Sequence, residues 1–270
     1  MGLAVCATPI GNLEDVTLRV LRELSEADVV LAEDTRVTRG LLARHGIEAR
    51  LLSYHEHNEA RRTAELVPRL EAGERIALVS DAGMPAISDP GARLVAAALE
   101  AGVPVTVLPG PSAVETALVA SGLAGGGYRF LGYLPRGAAA LAAVWEELRG
   151  RPDAVVAFES PQRLPATLRS LAEALPERPA AVCRELTKRF EEVARGSPGE
   201  LAERFREPPK GEVVLVLGAA PPSDRLSLAV DGAAAAVREL VEAGVGRTQA
   251  ARLVARLTGV PKSRLYRTSL

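Results

Sequence analysis

The chain has 270 residues, 47% of them hydrophobic and 25% charged, the proportions of a soluble globular protein with room for two modest domains. A net charge of −1 does not mark the molecule as a whole as a nucleic-acid binder. No apolar run approaches the roughly 18 residues that cross a bilayer, and the opening MGLAVCATPIG lacks the basic region of a secretory signal, so a cytoplasmic protein without a membrane partner is expected.

In chain order, residues 3–7 read as a strand, followed by the loop TPIGNLED and a helical period from Asp15 to Leu24. Residues 29–32 form a second strand that runs into Glu33-Asp34-Thr35-Arg36, with a helix expected over 38–45. Residues 51–54 lead into HEHNEARR and a mixed-charge helix over 59–70. The run 76–79 is a third apolar strand, and VSDAGMPAISDPG follows it. There Asp81, Gly83 and Pro85 break the period, and Asp89-Pro90 reads as a helix N-cap with proline in the first turn. Residues 105–108 give another strand, closed by Pro109-Gly110-Pro111-Ser112, where Ser112 with Glu115 fits a capping box. Strand and helix alternating in this way predict a largely parallel sheet covered on both faces.

Glycines over 121–127 mark a linker. Beyond it come strands over 130–134, 154–158, 180–183 and 213–217, helices over 138–148, 163–175 and 199–205, and a segment over 190–195. These predict a mixed sheet in an α+β unit, which Pro221-Pro222-Ser223 ends. Helical stretches follow over 228–242, 248–257 and 262–266. The expected organisation is an N-terminal α/β domain over 1–121, a second α+β domain over 122–222 and a basic helical region over 223–270.

Several loops share one design, a strand end followed by charge. In open α/β sheets, ligands sit beyond the carboxyl ends of the strands, which singles out VSDAG, PGPSA, EDTR, ESPQRL and RELTK. Neither GxGxxG nor GxxxxGK[ST] occurs, so a ligand without phosphate is favoured over NAD or ATP. His55 and His57 would share one face of a strand, but no third ligand has matching spacing, so substrate contact or plain surface is expected there and no metal. Cys6 and Cys183 fall in buried strands and read as core thiols, not a disulfide. From Gly246 onward there are six basic residues, among them Arg247, Lys262 and Arg264, and no acidic ones. The helix-turn-helix-like spacing there suits phosphate contact.

Taken together, TPIGNLEDVTLR, AEDTRVTRGLL, SYHEHNE, VSDAGMPAISDPG, LPGPSAVETAL, ESPQRL and RELTKRFEEVARG resemble the small-subunit ribosomal RNA methyltransferase I branch of the tetrapyrrole-methylase superfamily. The resemblance covers nearly the whole chain. Gln162 stands where histidine is usual, and Met84 and Ala86 replace threonine and leucine. The resemblance implies a two-domain α/β methylase, homodimeric, with S-adenosyl-methionine held between its domains. It implies methyl transfer to the ribose 2′-hydroxyl of a cytidine in the decoding centre of 16S ribosomal RNA, with the free RNA or the small subunit as substrate. Carried over motif by motif, it implies cofactor contacts at Ile10, Gly11, Asp81, Gly83, Met84, Ser112 and Ala113, and second-domain contacts at Phe158, Leu186 and Glu212. Attack by a hydroxyl benefits from a general base, for which Glu33, Asp34, Glu159, Glu185 and Lys188 are candidates. Arg36, His55 and Arg184, with the basic tail, are expected to meet RNA. Alternatives are a methyltransferase acting on a tetrapyrrole or a modified histidine, and a non-enzymatic nucleic-acid-binding protein.

Overall fold

The structure is a computed structural model that describes residues 2–262 and 265, with the side chains of 222–228 excepted. Arg264, a predicted RNA contact, and most of the expected helix over 262–266 lie outside the described residues.

The chain divides into two compact units. The first comprises Met1–Ala120 together with Cys183–Val193 and Gly211–Val214. The second comprises Ser121–Val182, Ala194–Lys210 and Leu215–Leu270.

In the first unit, β1 (Leu3–Cys6), β2 (Val29–Ala32), β3 (Leu51–Ser53), β4 (Ile76–Val79) and β5 (Val105–Leu108) form a parallel sheet of order β3-β2-β4-β1-β5. The strands β1, β2 and β4 are buried throughout. Continuous apolar runs of this kind are what a parallel sheet with two covered faces requires. The strand alternation sorts the side chains into two cores. Leu3, Val5, Leu31, Ile76 and Leu78 pack with Leu66 and Leu70 of α3 (Glu59–Glu71) and with Leu94 and Ala98 of α4 (Ala92–Glu100). Ala4, Cys6, Val30, Ala77 and Val79 pack on the other face with Val20 and Leu24 of α1 (Leu18–Glu26) and Leu42 of α2 (Thr35–Arg44). The helix α5 (Ala113–Ser121) follows β5.

Three helix starts in the first unit differ from expectation, two of them because a side chain caps at another residue. The helix α1 begins at Leu18, where the Thr17 hydroxyl accepts the Val20 N–H. The helix α2 begins at Thr35 because the Asp34 carboxylate accepts the Arg36 N–H. Asp89 is not an N-cap: α4 starts three residues later behind Gly91, whose φ of 139° has no side-chain cap. A Cβ on Gly91 would lie 2.8 Å from Leu78 Cδ2, so only glycine fits that turn.

The second sheet has the order β6-β7-β10-β8-β9 and is mixed. Its strands are β6 (Tyr128–Tyr133), β7 (Ala154–Glu159), β8 (Ala180–Arg184), β9 (Glu192–Gly196) and β10 (Val213–Leu217), with helices α6 (Ala138–Leu148), α7 (Leu164–Ala174) and α8 (Pro198–Arg204). The segment expected over 190–195 is therefore a strand, β9. Arg178 is buried and donates to the carbonyls of Gly218 (2.9 Å), Asp153 (3.1 Å) and Leu148. The helices α9 (Pro222–Glu242) and α10 (Arg247–Thr258) pair around a small core of their own, including Val230, Val237, Ala251, Val254 and Val260. The helix α9 starts six residues earlier than its apolar period suggests. Both cysteines are free and buried.

Candidate functional site

The register of the first sheet aligns its strand ends: Ala32 pairs with Val79 and with Ser53, and Cys6 with Leu108. The loops that follow β1, β2, β3, β4 and β5 therefore leave from one edge. They also touch. Thr8 and Gly83 exchange backbone hydrogen bonds (2.8 and 3.0 Å), and the Thr8 hydroxyl donates to the Ser80 carbonyl (3.0 Å). Gly83, at φ 75°, has room for a Cβ only just clear of Ile10 (3.8 Å) and the Pro111 carbonyl (3.9 Å). The first loop, the acidic loop and PGPSA thus converge at Gly83.

Beside this junction lies an open hollow of about 480 Å³. Ile10, Val16 and Pro111 give it apolar walls, Glu14 and Asp15 supply charge, and Thr187 also lines it. Of the other expected contacts, Gly11 lies against residues 186–188, where a Cβ would meet Lys188 Cγ at 2.5 Å and the Leu186 carbonyl at 2.9 Å. Ser112 donates its hydroxyl to the Glu115 carboxylate, and Ala113 opens α5. Met84 packs down on the core beneath α3 and α4.

A crevice of carboxylates sits at the ends of β2 and β4. The Asp81 carboxylate accepts the Asp34 N–H (2.9 Å). Burial, then the neighbouring Asp81, pushes the Glu33 carboxyl above its ordinary value, and burial does the same for Asp81. Asp89 joins them: burial, reinforced by Glu33, raises its carboxyl to about 6 against the pull of a Ser80 hydrogen bond. Asp34 behaves oppositely, held down to about 2 by its hydrogen bonds to Arg36. His55 stands near Glu33. Its Nε2 meets Asn58 Nδ2 at 3.1 Å, and its buried Nδ1 has no hydrogen-bond partner among the described residues.

The RELTK loop is braced by charge. Lys188 Nζ donates to Glu185 Oε1 (3.0 Å) and Glu212 Oε2 (2.7 Å), and the Glu212 N–H donates to Glu185 Oε1 (3.1 Å). Burial opposes the lysine's charge, but the two carboxylates outweigh it and hold its pKa above the usual lysine value. Burial likewise works against the charge of Glu185, and the Glu212 N–H and Lys188 overcome it. Arg184 places its guanidinium on Glu192 (2.8 and 2.9 Å).

In the second unit, the Glu159 side chain is fully enclosed. It pairs with Arg163 and accepts from the Thr167 hydroxyl and the Ser160 N–H, each at 2.6 Å. Phe158 stacks edge-on with Phe130 and Tyr133, at centroid separations of 5.0 and 5.5 Å. Arg36 is 84% exposed, Arg247 opens α10 and Lys262 is exposed. Sequence reasoning missed Asp89, whose Asp-Pro pair imitates a helix start, and Thr187, whose role depends on a contact 175 residues away. Among the described residues no group of three or more metal-ligating side chains gathers, and no helix is long and apolar enough to cross a membrane.

The tetrapyrrole (corrin/porphyrin) methylases match residues 2–202. The chain belongs to this family. Within it, the chain falls in the ribosomal RNA small subunit methyltransferase I branch, as its motifs suggest. A protein of that name from Synechocystis sp. is 43% identical over 270 residues, covering 99% of this chain and 97% of the relative. Another, from Mesorhizobium japonicum, is 47% identical over 173 residues, 64% of this chain, and the match spans 59% of the relative's length. Among solved methylases, the uroporphyrin-III-C-methyltransferase of Thermus thermophilus superposes with a TM-score of 0.57 at 25% identity, covering 80% of this chain and 94% of that one.

Proposed function

We propose that this methylase transfers a methyl group from S-adenosyl-methionine to the ribose 2′-hydroxyl of a cytidine in the decoding centre of small-subunit ribosomal RNA, acting in the cytoplasm as a homodimer. The observation that carries the reading is the hollow at the sheet edge, where the first loop, PGPSA and Thr187 meet beside the acidic loop. Its chemistry fits the cofactor: apolar walls and the Asp15 carboxylate suit a sulfonium cation that carries no phosphate, while Glu14 is paired with Arg44 at 2.8 Å. Ile10 and Pro111 would hold it, with Gly11, Gly83 and Ser112 in the loops alongside. When bound, S-adenosyl-methionine supplies an electrophilic methyl carbon.

The protein's own task is to orient the hydroxyl and take its proton. Lys188 is unsuited, being held charged by Glu185 and Glu212. The Glu159 lone pairs are occupied by Arg163, Thr167 and Ser160, and Asp34 is a weak base beside Arg36. Glu185 is bound to Lys188. Glu33 remains, half-buried and with a raised proton affinity, and it is our choice of general base. The exposed Arg36 and the basic tail would take RNA phosphates, with His55 near the reacting sugar. Arg184, committed to Glu192, would shape the loop instead of gripping RNA.

The test is methyl transfer to purified, unmethylated small subunits, with a porphyrinoid acceptor in parallel. Glu33→Gln should lower kcat by about 100-fold or more while binding S-adenosyl-methionine as the parent does. An unchanged kcat would remove Glu33 from the role, and methylation of the porphyrinoid alone would overturn the choice of substrate. Support for the homodimer comes from β5, an edge strand that exposes Val107, and from the exposed Val119 on α5. Sedimentation is expected to give twice the 28.4 kDa chain mass, and a species at the single-chain mass would count against it.

A further inference from the structure

We infer that Thr187 is a positioning residue whose hydroxyl latches the first loop and so sets the width of the hollow. The value of this latch for catalysis rests on the methyl-donor reading above, but the latch itself does not.

Thr187 adopts φ 63° and Glu185 φ 52°. A β-branched residue is a genuine outlier there, and such conformations persist only where the surroundings over-determine them. The surroundings do so here. The Thr187 N–H donates to Glu191 Oε2 (2.6 Å), and the Lys188 and Glu191 N–H groups close turns onto Glu185 and Lys188 (3.0 and 3.1 Å). Glu185 is fixed through both its N–H and its carboxylate to Glu212. Gly211, at φ 90°, leaves the space this needs, since a Cβ there would sit 2.3 Å from the Glu185 carboxyl carbon.

The rigid loop holds one hydroxyl toward the first loop. Thr187 Oγ1 accepts the Asn12 N–H at 3.0 Å, and glycine at position 11 is what allows the approach, because a Cβ there would be 2.8 Å from the same oxygen. Asn12 in turn organises the turn that follows. Its side-chain carbonyl accepts the Glu14 N–H (3.1 Å), and its backbone carbonyl accepts the Asp15 N–H (3.0 Å). Glu14, Asp15, Val16 and Thr17 all line the hollow, as does Thr187. One side-chain acceptor therefore positions the whole turn that forms much of the wall.

The experiment compares the parent with Thr187→Val, which keeps the shape but loses the acceptor, and Thr187→Ser, which keeps the acceptor. Amide hydrogen exchange at Asn12 is read without ligand. Affinity for S-adenosyl-methionine is read by calorimetry, and kcat at saturating donor by methyl transfer. Thr187→Val should speed Asn12 exchange and weaken donor binding by about fivefold to tenfold, the worth of one such hydrogen bond. The effect should fall on KM for the donor more than on kcat, and Thr187→Ser should restore both readouts. Should Thr187→Val fail to fold, Thr187→Gly, which suits the positive φ and also lacks the hydroxyl, carries the same expectations. Parent-like exchange in the variants without a hydroxyl, or a Thr187→Ser protein as impaired as they are, would overturn the latch. A parent protein that ignores S-adenosyl-methionine yet shows the expected exchange pattern would overturn the choice of cofactor and leave the latch standing.

Discussion

Asp89 lies half-buried within reach of the charges of Glu33 and Asp81, and its carboxyl, raised to about 6, is the clearest electrostatic cost in the crevice. In the unfolded chain it would titrate near the ordinary aspartate value of about 3.9. Between those values the folded protein holds a proton that the unfolded chain has released, so stability falls as pH rises through the window and the loss is complete above about 6. A wholly enclosed group shifted this far would cost about 3 kcal/mol; with solvent screening the exposed part of the side chain, about 1 kcal/mol is expected. Asp89→Asn should therefore raise the urea midpoint at pH 8 and leave it unchanged at pH 4. Parallel pH profiles for the two proteins would show that the carboxyl is not strained. At this scale the sequence discloses which acids follow strands but not what becomes of their charge. Asp34 and Glu33 are adjacent, and only the fold reveals that one is neutralised by Arg36 while the other is turned toward Asp81.

The central strands of the first sheet are legible because burial on both faces leaves only apolar residues in them, so 29–32 and 76–79 are placed to the residue; the edge strand over 105–108 is placed as well, by its β-branched residues and the Pro-Gly-Pro that closes it. Helix starts are less legible, since several residues in each loop can cap and the choice depends on which face must reach the core. At α1 the winner is Thr17, which sends Val20 and Leu24 into the core beside Cys6 and Ala32. Thr17 also lines the hollow, so the cap ties helix register to the site. Thr17→Ala is expected to lower the unfolding free energy by about 1 kcal/mol, and Thr17→Ser to leave it nearly intact, as measured by denaturant titration. Equal stability of the alanine variant would mean that the helix does not depend on its cap.

For the whole molecule, the least legible feature is the assignment of 183–193 and 211–214 to the first unit, because those residues adjoin or overlap strands of the second sheet and only long-range contacts such as Asn12 to Thr187 reassign them. The most legible is charge asymmetry. A chain with a net charge of −1 ends in a stretch with six basic residues and no acid. The structure explains how that stretch can afford its repulsion: α9 and α10 bury an apolar core between them and leave Arg252 and Arg256, four residues apart on α10, exposed. If these arginines meet RNA phosphates, affinity must weaken with salt. Each lost contact should shallow the slope of log affinity against log salt by about 0.7 on single strands. Replacing both by glutamine should therefore reduce the slope by roughly 1.4, weaken small-subunit RNA binding alike across sequences, and leave S-adenosyl-methionine binding as it was. An unaltered slope would assign the tail to packing and leave phosphate contact to the loops of the first unit.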